Sequence, residues 1–264
     1  MSPRAVQLFD IDGVIRDVSA SYRRALAETV QHYAGWRPDP ATIDALKGEG
    51  RWNNDWDASL ELLRRHGHTP LPQRQALVEV FSRHYFGGDP HGDPALWQGF
   101  IGQEPLLVDA SLFTWLSHAQ VAWGFVSGAE PPSARYVLEQ RLGLEQPPLL
   151  AMGDAPDKPD PTGLLRLAAQ LAEAPLGLAS SPPVLYLGDT VADVLTVVRA
   201  QRQLPEQPLL ALGVAPPHLR SDPAALRRYE ASLLEAGADA VIPSTQALPK
   251  RLERLLASLS APSR

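Results

Sequence analysis

Asp10 and Asp12 stand two residues apart in the stretch RAVQLFDIDGVIRD, directly after a short apolar run. Strand side chains alternate in direction, so residues two apart point the same way, and two carboxylates so placed repel each other. Other polar groups follow apolar runs in the same manner. Ser127-Gly128 comes after VAWGFV, Lys158 comes a short loop after LLAM, and Asp189 comes after VLYL and one glycine. Carboxylates for a hard cation, a hydroxyl and an ammonium form a set suited to handling a phosphate. Mg²⁺ takes oxygen ligands, often one or two carboxylates completed by water and phosphate. A cation held between Asp10 and Asp189 would offset the repulsion between Asp10 and Asp12. A carboxylate can attack phosphorus to give an aspartyl phosphate, and a second carboxyl two residues on can protonate the leaving oxygen and then activate water. Gly13 permits a sharp chain exit that lets backbone amides approach an anion. Lys158 precedes a proline, which biases it to an extended conformation.

Such a set works only if the chain brings its strand ends together. Short continuous apolar runs, AVQLF (5–9), VAWGFV (121–126), LLAM (149–152), VLYLG (184–188), LLALGV (209–214) and DAVI (239–242), read as strands buried on both faces of a parallel sheet. Between them, DPTGLLRLAAQLAEA and STQALPKRLERLLASL carry apolar residues at helical spacing. Asp160-Pro161 and Ser221-Asp222-Pro223 supply a capping carboxylate and a first-turn proline, two helix starts. This alternation predicts a doubly wound α/β domain, in which ligands bind at the carboxyl ends of the strands. Residues 17–100 break the rhythm, showing helical patterns and then a Gly- and Pro-rich loop. They are read as a helical domain inserted into an α/β core made of residues 1–16 and 101–264.

The ordered motifs DIDGV, FVSG, DKPDP and GDTVAD resemble the four motifs of the haloacid dehalogenase-like superfamily. The helical insert resembles the cap of its phosphoglycolate phosphatase and β-phosphoglucomutase-like branch (subfamily IA). The resemblance implies a Rossmann-like core with a helical cap, and Mg²⁺ as cofactor. It implies Asp10 as nucleophile and Asp12 as general acid/base, with Ser127 and the Gly128 amide holding the phosphoryl group and Lys158 neutralising it. It further implies a metal site of Asp10, Asp189 and the Asp12 carbonyl, ordered by the nearby Asp193.

Each residue also has a plainer reading. A lone DxDG is a turn or a fragment of a calcium loop, although DGVIRDVSASYR lacks the later ligands of such a loop. Asp189 and Asp193 could serve only a helix N-terminus. In EGRWNNDWD, Trp52 and Trp56 could form one apolar helix face, or Arg51 with Asn53 or Asn54 could reach the leaving group of a substrate. Arg16 is read either as a contact for an anionic substrate or as a surface residue. Residues 221–238 look like an added helix for packing or oligomer contact.

Composition narrows the class. The 264 residues carry a net charge of −6 and 44% apolar side chains, which argues against a nucleic-acid surface. No run of about 18 apolar residues exists to span a membrane. The absence of cysteine excludes thiol nucleophiles and thiolate metal sites, and fits the cytoplasm. A Gly-rich dinucleotide turn is missing after the first strand, where an acidic pair would repel a pyrophosphate. The ordered motifs and the resemblance they carry imply a Mg²⁺-dependent phosphatase acting on a small phosphorylated metabolite, with a phosphomutase as alternative and a non-catalytic sensor as the rival from another class. Oligomeric state stays open.

Overall fold

A computed structural model of the chain describes residues 2–47, 49, 52, 54–178 and 180–260. Its Cα atoms group into two compact units, Met1–Asp17 with Leu106–Arg264, and Val18–Pro105. The return crossing thus lies at Pro105–Leu106, later than the 100/101 boundary expected from sequence. Residues 100–103 form a short 3₁₀ turn that belongs to the second unit.

The first unit is built on β1 (Ala5–Phe9), β2 (Val121–Val126), β3 (Leu149–Leu150), β4 (Val184–Gly188), β5 (Leu209–Val214) and β6 (Ala240–Ile242). These form one parallel sheet in the order β3-β2-β1-β4-β5-β6. The strands are continuous apolar runs because both faces are covered. On one face Phe9 packs against Phe113 and Phe125 at 5.7 and 5.9 Å between ring centroids. On the other, Val6 and Leu8 join Leu164, Leu167, Val194 and Val197. Each such buried aliphatic or aromatic side chain contributes about 1.5–3 kcal/mol by leaving water.

β3 is shorter than LLAM suggests, because the Ala151 amide is taken by Asp154 Oδ2 at 2.9 Å and the chain turns. β6 likewise begins at Ala240, since Asp239 joins the sheet edge through its own carboxylate, which accepts the Ala211 amide at 2.8 Å.

The helices of the first unit are α5 (Ser111–His118), α6 (Pro131–Arg135, running on into a π-helical stretch to Arg141), α7 (Thr162–Ala172), α8 (Val191–Gln203), α9 (Pro223–Glu235) and α10 (Leu248–Ser260). α9 starts as its sequence predicts, with Asp222 accepting the amides of Ala224 and Ala225 and Pro223 at the first position. α7 starts one step later than predicted: Pro161 is its N-cap residue, while Asp160 accepts the Thr162 amide at 2.9 Å. α10 seals one face of the sheet with Leu248, Leu252 and Leu256, spaced four apart.

The second unit, Val18–Pro105, contains α1 (Tyr22–Ala34), α2 (Pro40–Lys47), α3 (Asp55–Arg65) and α4 (Arg74–Tyr85), and no strand among the described residues. Helix α1 packs against α3 and α4 through Ala25, Leu26 and Val30, with Leu62, Leu63, Leu77 and Phe81 buried on the neighbouring helices. Trp52 precedes α3 instead of sharing a helix face with Trp56; its indole N–H donates to Glu49, and Arg74 lies over the Trp56 ring. A hollow of about 470 Å³ in this unit is lined by Arg23, Arg24, Arg37 and apolar residues of α1 and α2.

Candidate active site

The central position of β1 decides where the polar groups meet. The chain runs from β1 outward to β2 and β3, then returns to the other side of β1 for β4. That reversal of strand order leaves a crevice at the carboxyl edge. Phe9 pairs in register with both Phe125 and Leu187. Asp10, Ser127 and Asp189 each leave that edge immediately after a strand.

Lys158 ties the centre together. Its Nζ lies 2.8 Å from Asp10 Oδ2 and 2.5 Å from Asp193 Oδ1, with the Tyr186 hydroxyl at 3.2 Å. Asp10 Oδ1 accepts the Ile11 amide at 2.8 Å. Burial pushes the Asp10 carboxyl up, Lys158 opposes this, and the balance leaves it at about 6. Burial also works against the Lys158 ammonium, yet Asp10 and Asp193 outweigh it and hold the group well above the usual lysine value.

Asp193 is engaged at both oxygens. Oδ1 meets Lys158 and the Tyr186 hydroxyl; Oδ2 accepts the amide and hydroxyl of Thr190, at 2.9 and 2.6 Å. With the Asp193 amide donating to Thr190 Oγ1, this closes a capping box on α8. Burial would raise the Asp193 carboxyl, but Lys158 and the Thr190 hydrogen bonds win and hold it below the usual range.

Asp189 is different. Its carboxylate accepts no hydrogen bond and joins no ion pair among the described residues, and burial followed by the charges of Asp193 and Asp10 pushes it well above the normal range. Oxygens of Asp10, Asp189 and Asp193 lie within 4.8 Å of one another. Three hard oxygen donors, one of them uncompensated, fit a cation such as Mg²⁺. Asp10 and Asp193 are each engaged at both oxygens, and Asp189 is the one of the three whose carboxylate is left for a cation among the described residues. The Asp12 carboxylate is not part of this cluster.

Two glycines make room for the charges. A Cβ on Gly13, which sits at φ +74°, would fall 2.0 Å from Asp189 Oδ2; one on Gly188 would fall 2.2 Å from the Asp193 Cβ. Gly13→Ala is therefore expected to cost about 2 kcal/mol in conformation and contact. Urea unfolding checks this, and unchanged stability would show that Asp189 can move aside.

Ser127 stands after β2 with its Oγ accepting the Ala129 amide at 3.2 Å. Ser127, Gly128 and Lys158 line one small hollow, and the space beside Gly128 is open.

One sequence reading fails here, and a second residue is found in a local role. Arg16 is no surface residue: it has no solvent exposure, and its Nε lies 2.8 Å from Asp12 Oδ1. Asn54 caps α3, its Oδ1 accepting the amides of Trp56 and Asp57, so that oxygen is committed to the helix. Arg51 and Asn53 lie outside the described residues.

Three residues that sequence reasoning passed over support the site. Tyr186, inside the buried run of β4, donates to the Val126 carbonyl at 2.7 Å and reaches Lys158 and Asp193. Its hydroxyl amid apolar neighbours was the available signal. Thr190 holds Asp193, and the GDT-x-x-D spacing of a capping box could have shown it. Tyr229, on α9, donates to the Asp189 carbonyl at 2.8 Å.

Residues 6–201 match the family model described as haloacid dehalogenase-like hydrolase. The chain belongs to that family. It is therefore an enzyme of the hydrolase type, with the six-stranded parallel core described above. Among curated proteins, a relative named imidazoleglycerol-phosphate dehydratase, from Phytophthora nicotianae, is 30% identical over 198 residues, covering 74% of this chain. The chain spans only 41% of the length of that relative.

Among solved structures, a phosphonoacetaldehyde hydrolase-like protein from Oleispira antarctica is similar with a TM-score of 0.69 and 14% identity, over 99% of this chain and 96% of the other. A family hydrolase from Deinococcus radiodurans, solved with bound phosphate and sodium, has a TM-score of 0.63 and 19% identity, over the whole of both chains. At these identities the likenesses show the fold.

Proposed function

We propose that this hydrolase is a Mg²⁺-dependent phosphatase acting on a small phosphorylated metabolite. The observation that carries the reading is Lys158 held between Asp10 and Asp193, beside an Asp189 carboxylate with no countercharge of its own. A cation and an adjacent cation-seeking carboxylate pair at a strand edge suit a dianionic phosphoryl group. They offer nothing that would favour a neutral substrate.

Asp10 attacks phosphorus through a carboxylate oxygen, forming the P–O bond of an aspartyl phosphate as the ester P–O bond breaks. Asp12 gives its proton to the departing alkoxide, then takes one from the water that attacks the phosphoryl group and frees Asp10. Ser127 and the Gly128 amide hold phosphoryl oxygens, and Lys158 neutralises their charge. Asp10 and Asp189 would hold Mg²⁺ along with the Asp12 carbonyl. When bound, the ion supplies charge neutralisation between carboxylates and phosphate. The acid at position 12 separates this reading from halide displacement, whose leaving group needs no proton. The helical unit, Val18–Pro105, is assigned the choice of substrate, since the four core motifs address only the phosphoryl group. A cysteine-free sequence fits action in the cytoplasm.

The test is phosphate release from a panel of monoesters (sugar, glycolate and amino-alcohol phosphates) with Mg²⁺ and with chelator. Imidazoleglycerol phosphate joins the panel because the curated relative's name contains it. Release that needs Mg²⁺ is the expected result. No release, with isomerisation of a sugar phosphate instead, would replace the phosphatase by a mutase; tight binding without turnover of any ester would make the protein a sensor.

A further inference from the structure

Among the described residues Arg16 is the largest side chain wholly removed from solvent. A buried guanidinium is costly unless its charge and donors are met. The loop after β1 brings a partner for its charge by folding back: the Gly13 amide donates to the Arg16 carbonyl at 2.9 Å, which returns Arg16 to the side of Asp12. Its Nε then donates to Asp12 Oδ1 at 2.8 Å. Its Nη2 donates to Ser133 Oγ at 2.7 Å, and Ser133 is itself fully buried on α6. Asp12 Oδ2 carries no hydrogen bond among the described residues, and the Asp12 side chain keeps 26% exposure.

We propose that Arg16 is a positioning residue for the proton-transferring carboxylate: anchored by Ser133, it fixes Asp12 Oδ1 and leaves Oδ2 as the oxygen that exchanges the proton. This rests on the phosphatase reading above. Arginine suits the task because it stays protonated at any working pH, so it orients the carboxylate without competing for the proton. Its burial removes it from direct contact with a substrate anion. The arrangement also explains how Asp10 and Asp12 coexist, since each carboxylate has a separate protein cation, Lys158 for the first and Arg16 for the second.

The distinguishing measurement uses two esters with different needs for a proton. The leaving group of glycerol 2-phosphate is an alkoxide and requires one; that of p-nitrophenyl phosphate is a stable phenolate and does not. kcat/KM reports the first transfer alone. Arg16→Met is expected to lower it about 100-fold on glycerol 2-phosphate but only about threefold on p-nitrophenyl phosphate, within the range of general acid catalysis. Arg16→Lys should recover part of the loss, and Ser133→Ala should show the same ester bias at about a tenth of the size. In an Asp12→Asn background, Arg16→Met should add nothing on glycerol 2-phosphate.

Equal losses on both esters, or further loss in the Asp12→Asn background, would overturn the proposal in favour of a general structural or binding role. Should Arg16→Met fail to fold, Arg16→Lys and Ser133→Ala decide: no ester bias in either overturns it. Should the wild type release no phosphate, the phosphatase reading fails separately. The Asp12 carboxyl ¹³C resonance then decides for Arg16, since it must move in Arg16→Lys and Ser133→Ala, and an unmoved resonance rules the positioning role out.

Discussion

Asp10→Asn is expected to reduce Mg²⁺-dependent phosphate release by at least ~10⁴-fold, equivalent to about 5.4 kcal/mol of lost transition-state stabilisation. The substitution keeps the volume and an acceptor for the Ile11 amide but removes the attacking oxygen. Stability should move in the opposite direction. Burial raises the Asp10 carboxyl from 3.8 to about 6, so the folded state binds a proton that the unfolded state releases. The linkage sign follows: stability from this group is full below about pH 3.8 and is lost as pH rises through about 6. In chelator, Asp10→Asn removes that loss. The variant should therefore unfold no more easily than wild type at pH 7.5, and its advantage should shrink towards pH 4. Rate measurements and urea unfolding at the two pH values test both halves. A variant that retains turnover sinks the nucleophile assignment; one markedly less stable at pH 7.5 would mean that the Lys158 pair outweighs burial.

Lys158→Met should fail in both respects. Removing the ammonium leaves Asp10 and Asp193, 8% and 1% exposed, facing each other without their shared cation. Breaking a buried pair in this way typically costs about 3–5 kcal/mol, and the 16% exposure of Lys158 puts the expectation near the lower end, about 3 kcal/mol. Phosphate release should fall at least ~100-fold, as for loss of a charge that stabilises a transition state. Mg²⁺ should restore part of the stability, since a divalent cation between Asp10 and Asp189 relieves the same repulsion, yet should not restore the rate. Unfolding in chelator and in Mg²⁺ reads the first effect and steady-state assay the second. Full stability in chelator would show that the carboxylates do not depend on Lys158.

The strand ends were legible because a sheet covered on both faces demands unbroken apolar runs, so a polar residue at the end of one is conspicuous. Asp10, Ser127 and Asp189 were found that way. Lys158 needed only a short loop beyond β3. Arg16 was misread because nothing in DIDGVIRD reveals that the loop folds back four residues; an arginine's burial depends on partners such as Ser133, far away in the chain. Asn54 is the opposite case. Its role was local and available, an Asn followed by Asp-Trp-Asp at a helix start, but its nearness to Arg51 and the tryptophans drew it into a ligand reading. Trp52 and Trp56 had helical spacing, yet that same cap placed the helix start between them. Tyr229 lies in a segment read as packing or oligomer contact, and only the fold carries its hydroxyl to the Asp189 carbonyl.

That last hydrogen bond reaches beyond the stretch by which the chain is recognised. The family match ends at residue 201, whereas the tyrosine that donates to the Asp189 carbonyl is residue 229. Between and after them lie β5 and β6, and α10 closes one face of the sheet. A truncation drawn at the end of the recognisable stretch would keep every signature carboxylate and still release the backbone from which Asp189 hangs. A portion that performs the proposed chemistry is therefore expected to extend beyond the portion that identifies the family.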